Sequence, residues 1–364
     1  MNTFGNNIKV TVFGESHGDY IGIVIDWLES GLEINFDLID NELTKRRPKS
    51  IYSTSRQETD RYQIISGLYN KKTTGAPLTF LIPNNNKISS DYENIYDIPR
   101  PSHADYPAYI KFNGNNDPRG GGMFSGRVTV AMMIVGAISK QILNQKGIEI
   151  GSHILKLHHI SDQQYPKTET NISLIKKLQT LDFPLIENSK EDMMRQIILD
   201  AKNSEDSVGG IVETIILNLP TGIGNPLFNS FESYFSSLLF SVPAVKGIEF
   251  GDGFDLTGHF GSEVNDQYQM TDSKVTTLSN HNGGVLGGMT TGMPVIIRCA
   301  IKPTPSIGKP QSSVNLKSNE QVTLEIKGRH DPAIVNRVVH VINAVAYYGV
   351  LDLLMGNKEM DRSK

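Results

Sequence analysis

Two stretches of this chain carry apolar residues on every side of a helix, and they limit what it can fold into. Val128–Gln145 reads VTVAMMIVGAISKQILNQ and is closed by Gly147, while Ala333–Met355 reads AIVNRVVHVINAVAYYGVLDLLM and is closed by Gly356. A helix without a polar face is buried between other layers. Ala131, Gly136, Ala137, Ala344 and Ala346 are small enough to let two such helices pack closely. No unbroken run reaches the ~20 apolar residues that span a bilayer, so the pair predicts a protein core.

Stretches rich in β-branched residues and bounded by Gly or Pro predict strands. They are Lys9–Phe13, Gly22–Trp27, Gln63–Leu68, Leu78–Ile82, Gly210–Leu217, Lys246–Phe250 and Val295–Ile301. Shorter helices fit Asp37–Arg47, stopped by Pro48, and Tyr234–Phe240. The chain also hints at duplication. TTGAPL at 73–78 is echoed by TTGMPV at 290–295, and GIV at 22–24 by GIV at 210–212. Each half then owns one buried helix. The expectation is a single α+β unit over 1–364 with two similar halves, roughly 8–150 and 208–356. The polar stretch 158–207 is expected as a peripheral insertion.

Composition excludes several function classes. Hydrophobic residues make up 38% of the 364, which excludes disorder by composition. The balance of 35 Lys+Arg against 39 Asp+Glu gives a net charge of −4, the wrong sign for a sequence-independent nucleic-acid coat. The single cysteine, Cys299, cannot close an internal disulfide, and no Cys/His spacing resembles a zinc site, so no metal is expected. With no signal-peptide pattern in residues 1–25, the expectation is a cytoplasmic protein without a membrane partner.

Five short segments set ionisable or polar residues among Gly or Pro, where side chains can converge on a ligand. They are GESHG (14–18), RPSHAD (100–105), RGGGMFSGR (119–127), HNGGVLGG (281–288) and GRHDP (328–332). In the third, a Gly-rich turn flanked by Arg119 and Arg127 feeds a buried helix, and free N–H groups with the helix dipole favour an anion there. It matches neither the Walker loop nor the dinucleotide fingerprint. A tight turn feeding a helix is the plainer alternative. His17 and His103 suit proton transfer near neutral pH, although a lone histidine is more often structural. Asp331 followed by Pro332 fits an N-cap with proline at the first helical position. Lys45-Arg46-Arg47-Pro48-Lys49, with Arg56, Arg100, Arg119, Arg127, Arg329 and Arg337, could clamp a small polyanion through bidentate guanidinium contacts.

GESHG, RPSHADY, RGGGxxSGR, VKGIEFGDGF, NHNGGVLGG, the Lys-Pro-Thr turn and GRHDP stand in one order and spacing that resembles the chorismate synthase family, from about residue 8 to 350. The resemblance implies a layered β-α-α-β sandwich with internal duplication, two buried helices between mainly antiparallel sheets, assembled as a homotetramer. It implies 1,4-anti elimination of phosphate from 5-enolpyruvylshikimate 3-phosphate, giving chorismate at the last common step to the aromatic amino acids. Reduced FMN is required although no net redox change occurs, and NADPH is a possible source of reductant. An FMN-binding NAD(P)H flavin reductase is the alternative.

By the same resemblance, His17 protonates the departing phosphate, His103 protonates and holds the reduced flavin, and Asp331 works with the flavin in removing the substrate C6 proton. Flavin contacts are implied for Met123, Phe124, Ser125, Ala244, Gly287, Lys302, Pro303, Thr304, Pro305, Ser306 and Arg329. Arg46, Arg47, Arg119 and Arg127 fall where substrate-anion ligands are expected, Arg46 also serving a nicotinamide phosphate. The chain departs from the family pattern at Met123-Phe124, at Pro243 before Ala244, and at Ile51 after the basic helix end.

Overall fold

A computed structural model describes residues 2–47, 59–85, 96–169, 171–326 and 331–356. Among them, two five-stranded sheets form the body of the fold. The first takes β1 (Thr3–Phe4), β2 (Lys9–Gly14), β3 (Tyr20–Asp26), β4 (Gln63–Ser66) and β5 (Leu78–Pro83) in the order β1-β2-β3-β5-β4. The second takes β6 (Glu149–Leu157), β7 (Ile160–Ser161), β8 (Gly210–Leu217), β9 (Val245–Phe250) and β10 (Val295–Ile301) in the order β9-β10-β8-β6-β7. Every pairing within them is antiparallel. Helices are α1 (Phe36–Arg46), α2 (Asp105–Lys111), α3 (Thr129–Gln145), α4 (Ile172–Leu178), α5 (Glu191–Asn203), α6 (Phe231–Leu239) and α7 (Val335–Gly356).

The two apolar stretches are α3 and α7, and they lie against each other. α3 also packs on β3 of the first sheet and α7 on β6 and β8 of the second. The helices therefore sit between the sheets, in an α+β arrangement. By length and hydropathy either helix, taken with the turn before α3, is apolar enough to cross a bilayer. Instead 67% and 83% of those windows are buried inside the protein, as in core helices.

Their close approach depends on one missing methyl. A Cβ built on Gly136 would lie 2.4 Å from Ala344 Cβ and 2.6 Å from its Cα. α7 is then pinned to both sheets by hydrogen bonds. Tyr347 Oη donates to the Ile150 carbonyl at 3.1 Å in the second sheet, and Tyr348 Oη donates to the Ile8 carbonyl at 2.8 Å beside the first. The fully buried Asp352 carboxylate accepts from the backbone N–H of Asn6, Asn7 and Ile8 at 2.6–2.8 Å and from Tyr234 Oη at 2.5 Å. A buried carboxylate is tolerable because its oxygens are so fully engaged.

Three expectations need correction. Glu149–Leu157, which was not expected to be a strand, lies inside the second sheet beside β8. Its polar residues are paired: His153 Nδ1 meets Asp162 at 3.1 Å and Nε2 meets Glu213 at 3.0 Å, and Arg298 Nε donates to Glu213 at 2.9 Å. Burial alone would lower the His153 pKa, but these two carboxylates raise it. Asp331 is not a helix N-cap, because α7 begins four residues later, at Val335. Leu68 leaves β4 after Gly67 and starts a separate two-residue strand.

Gly136→Ala is expected to destabilise the protein by about 1–3 kcal/mol through overpacking, although the same change in an exposed helix gains about 1 kcal/mol. Chemical denaturation checks it. An unchanged or raised stability would mean that α3 and α7 can move apart freely.

Candidate active site

α1 brings the first basic residues to the site. Asn35 caps it, its side chain accepting from Leu38 N, and the helix ends at Arg46. Its seat on α3 is ionic: Glu42, 4% exposed, accepts from Lys140 Nζ and from Lys45 Nζ, both at 2.8 Å. Burial would raise the Glu42 pKa, but the two ammonium groups hold it below the usual carboxylate range. Arg46, one turn on, is thereby turned inward. Its Nε donates to Thr129 Oγ1 at 3.0 Å and its Nη2 to the Gly126 carbonyl at 2.9 Å.

The loop at 119–127 bends on three successive glycines, Gly120, Gly121 and Gly122, with φ of +59°, +82° and +51°. Side chains other than glycine rarely adopt that region. The Gly122 carbonyl accepts from Ser16 N at 3.1 Å, so the loop rests on the 14–18 segment. A Cβ at Gly120 would come within 2.9 Å of Ser16 Oγ and 3.1 Å of the His17 ring. Arg127 reaches the same segment through Asn84: Arg127 Nε donates to Asn84 Oδ1 at 2.9 Å, and Asn84 Nδ2 donates to the carbonyls of Glu15 and Gly18.

These parts enclose a cavity of about 590 Å³ between the end of α1, the 119–129 loop, the 302–306 turn and the start of α7. Its lining holds six cationic side chains, Arg46, Arg47, Arg100, Arg127, Lys302 and Arg337, and the apolar Phe124, Val242, Ala244, Ile334, Val338 and Val341. His103 Nε2 lies 2.8 Å from Ser306 Oγ. Burial, then the Arg100 and Lys302 charges, push the His103 pKa down to about 4, with Asp105 acting in the opposite sense. Burial also lowers Lys302, which donates to the Ser102 carbonyl at 2.5 Å. Asp105 holds Arg100 by two side-chain hydrogen bonds of 2.7 and 2.8 Å. Asp331 is ion-paired with Arg337.

Of the residues singled out from sequence, the lining brings together Arg46, Arg47, His103, Phe124, Ser125, Arg127, Ala244, Lys302, Thr304, Pro305, Ser306 and Asp331. His17 is outside it, buried behind Gly120. Met123 and Pro303 belong to the same two loops but do not line the cavity. Arg119 turns to Asp117, at 2.8 Å, in an adjoining 270 Å³ recess that shares Arg100 and Asp105 with the cavity. Gly287 is exposed in a hairpin turn away from the lining. Arg329 and Ile51 lie outside the described residues, and Pro243 is in the lining beside Ala244.

Two of the motif segments do a different job. Gly251 and Gly283 touch so closely that a Cβ on Gly283 would sit 2.2 Å from Gly251 N, and His281 Nδ1 is 2.6 Å from Asp252. They lock the 250s to the 280s beside the second sheet. Asp60 and Asn84, both in the arginine cluster, were not anticipated. Asp60 has no Gly or Pro beside it, and Asn84, although it follows Pro83, carries no ionisable group to single it out.

Because His103 is held neutral by its surroundings, its ring is expected to titrate near pH 4 in the flavin-free protein rather than near 6.5. NMR of the ring protons against pH checks this. A midpoint at or above 6.5 would show that neither burial nor the Arg100 and Lys302 charges hold it neutral. The unfolded chain takes up a proton at 6.5 and the folded one only near 4. Stability should therefore fall with pH across that window, and His103→Gln should flatten the fall.

The family model for chorismate synthase matches residues 8–355. Chorismate synthase of Methanococcus maripaludis strain C5 is 45% identical, covering 99% of this chain and 99% of its own length. The Methanocaldococcus jannaschii chorismate synthase is 43% identical over 98% of this chain and 96% of its own. That of Thermococcus kodakarensis is 41% identical over 96% and 97%. A chorismate synthase crystal structure superposes with a TM-score of 0.76 at 24% identity, covering 97% of this chain and 93% of that one, a likeness of fold. Matched from one end to the other by the family model and by relatives of over 40% identity, the chain belongs to the chorismate synthase family.

Proposed function

We propose that the 590 Å³ cavity is where this chain carries out the reaction of its family, the 1,4-anti elimination of phosphate from 5-enolpyruvylshikimate 3-phosphate to give chorismate. The observation that carries the reading is the lining itself: Arg46, Arg47, Arg100, Arg127, Lys302 and Arg337 stand around one cavity together with apolar side chains. The substrate brings two carboxylates and a phosphate of roughly −1.5 to −2 charge, and Arg46, Arg47 and Arg127 suit those anions. The apolar Phe124, Val242, Ala244, Ile334, Val338 and Val341 suit the face of a planar ring system.

The residues present fit FMN. Thr304 lines the cavity, and its Oγ1 is buried with no hydrogen-bond partner among the described residues. Ser306 and Lys302 stand on the same turn. Reduced flavin, when bound, supplies an electron-rich ring beside which the C–O and C–H bonds can break without net redox change. His103, neutral at physiological pH, can donate or accept a hydrogen bond at Nε2, where Ser306 Oγ stands 2.8 Å away. Asp331 can receive the C6 proton at its carboxylate, with Arg337 holding it in place. His17, behind Gly120, can give a proton to the departing phosphate, since glycine leaves no side chain between them. Ser125 Oγ, which accepts from Arg127 N at 3.3 Å, leaves its hydroxyl proton for an anion or the flavin.

In this reading the chain works as one unit of two similar halves in the cytoplasm, and NADPH serves only as a source of reductant for the flavin. Assembly as a homotetramer would cover large apolar side chains that stand exposed, among them Leu227, Phe228, Phe254 and Phe260. Light scattering with a mass of one chain would remove that part of the reading.

Anaerobic mixing with dithionite-reduced FMN and the enolpyruvyl substrate should release stoichiometric phosphate together with chorismate absorbance. Absence of product at saturating reduced flavin would overturn the assignment. NADPH oxidation with FMN but without phosphate release would favour a flavin reductase. His17→Ala and Asp331→Asn should each lower turnover by at least ~100-fold, as for lost acid–base groups, with the thermal midpoint little changed. Full activity in Asp331→Asn would reduce that residue to a partner for Arg337.

A further inference from the structure

Three of the arginines that line the cavity gather around a carboxylate. Asp60 lines the cavity, is 3% exposed, and has a φ of +47°. Left-handed backbone is uncommon for a residue with a side chain and is kept where the surroundings enforce it. Among the described residues, three arginines reach the group. Arg127 Nη1 is hydrogen-bonded to Oδ1, while Arg46 Nη1 and Arg47 Nε stand 3.8 and 3.7 Å from Oδ2. Oδ2 is buried and makes no hydrogen bond among the described residues.

Each arginine has a second, neutral hold. Arg46 uses Thr129 and the Gly126 carbonyl, Arg47 the Thr59 carbonyl, and Arg127 uses Asn84. These contacts orient the guanidiniums but do nothing about their mutual repulsion. Like charges gathered in a buried site disfavour one another, and a buried charge needs a partner. One central carboxylate reached by all three guanidiniums offsets part of that repulsion.

We propose that Asp60 is a positioning residue for the anionic substrate, holding Arg46, Arg47 and Arg127 together so that they present one anion-binding face to the cavity. The inference rests on the reading of the cavity as the substrate site. It assigns Asp60 no contact with the reacting atoms: its effect passes through the arginines, and so through binding more than through the chemical step.

Steady-state kinetics with reduced FMN test it. Asp60→Asn keeps the size and one acceptor oxygen but removes the charge. It should raise KM for the enolpyruvyl substrate tenfold or more while kcat changes by less than about threefold. Asp60→Glu keeps the charge but displaces it by one methylene, and should raise KM threefold or more. It carries the test alone if Asp60→Asn does not fold. Circular dichroism and thermal midpoints identify the folded variants. A wild-type KM in a folded variant, or a loss confined to kcat, overturns the proposal. The wild-type enzyme run alongside separates the two levels. If it turns over substrate while KM is unmoved in the variants, only the role of Asp60 fails; if it does not turn over substrate, the reading of the cavity fails and this proposal with it.

Discussion

The contact between Gly136 on α3 and Ala344 on α7 sets the spacing of everything around it. In close contact, the two helices form a thin, mostly apolar layer between the two sheets. Specific polar contacts then fix the layer in place. Tyr347 ties α7 to the second sheet, Tyr348 and Asp352 tie it to the first, and the Glu42–Lys140 pair seats α1 on α3. The cavity opens where this core ends. Arg46 is the last residue of α1, Arg127 stands just before α3, and Asp331 and Arg337 flank the first turn of α7. The site is thus a by-product of helix termini that the core has brought together.

Charge in this protein is arranged more by place than by amount. The chain carries a net of −4, yet one end of the helical layer gathers six cationic side chains around a single cavity. Such a site can exist only because most of its cations have anionic or neutral partners close by. Asp105 serves Arg100, Asp331 serves Arg337, and Asp60 serves a trio. Burial and, after it, the Arg100 and Lys302 charges keep the proton off His103. A histidine kept neutral amid arginines can donate a hydrogen bond to a reduced cofactor without adding another charge to the cluster.

Much of the fold was legible because it rests on long, one-sided patterns. The two apolar helices and the strands Gly210–Leu217 and Val295–Ile301 follow from β-branched or apolar runs between Gly and Pro. Glu149–Leu157 was not legible, since a strand covered on both faces need not alternate, and its Glu, Ser, His and Lys read as surface until Asp162, Glu213 and Arg298 are seen beside it. Asp331-Pro332 has the local chemistry of a helix start, but α7 begins only at Val335, and Asp331 pairs instead with Arg337 of that helix. At the site, motif-bearing residues such as His103, Arg127 and Ser306 could be found from their Gly and Pro neighbours. Asp60 and Asn84 could not, because their importance lies in contacts across the fold, to residues 67 and 43 positions away. Motif membership was also no guarantee of place, as the Gly251–Gly283 lock shows.

The anchoring of α7 carries a consequence for how the molecule is made. Asp352 binds the backbone of residues 6–8, groups separated from it by about 345 positions in the chain. A ribosome delivering the chain from its N-terminus exposes the first sheet long before the helix that will cover its neighbour α3. At 5–20 residues per second, the stretch from the end of α3 at Gln145 to the end of α7 at Gly356 takes from about ten to about forty seconds. During that interval the face of α3 that packs on α7 has no native partner, although β3 and α1 are already made. The nascent protein is therefore a natural client for chaperones until its final turn of helix emerges, and a truncation of even a few turns at the C-terminus would leave it one permanently.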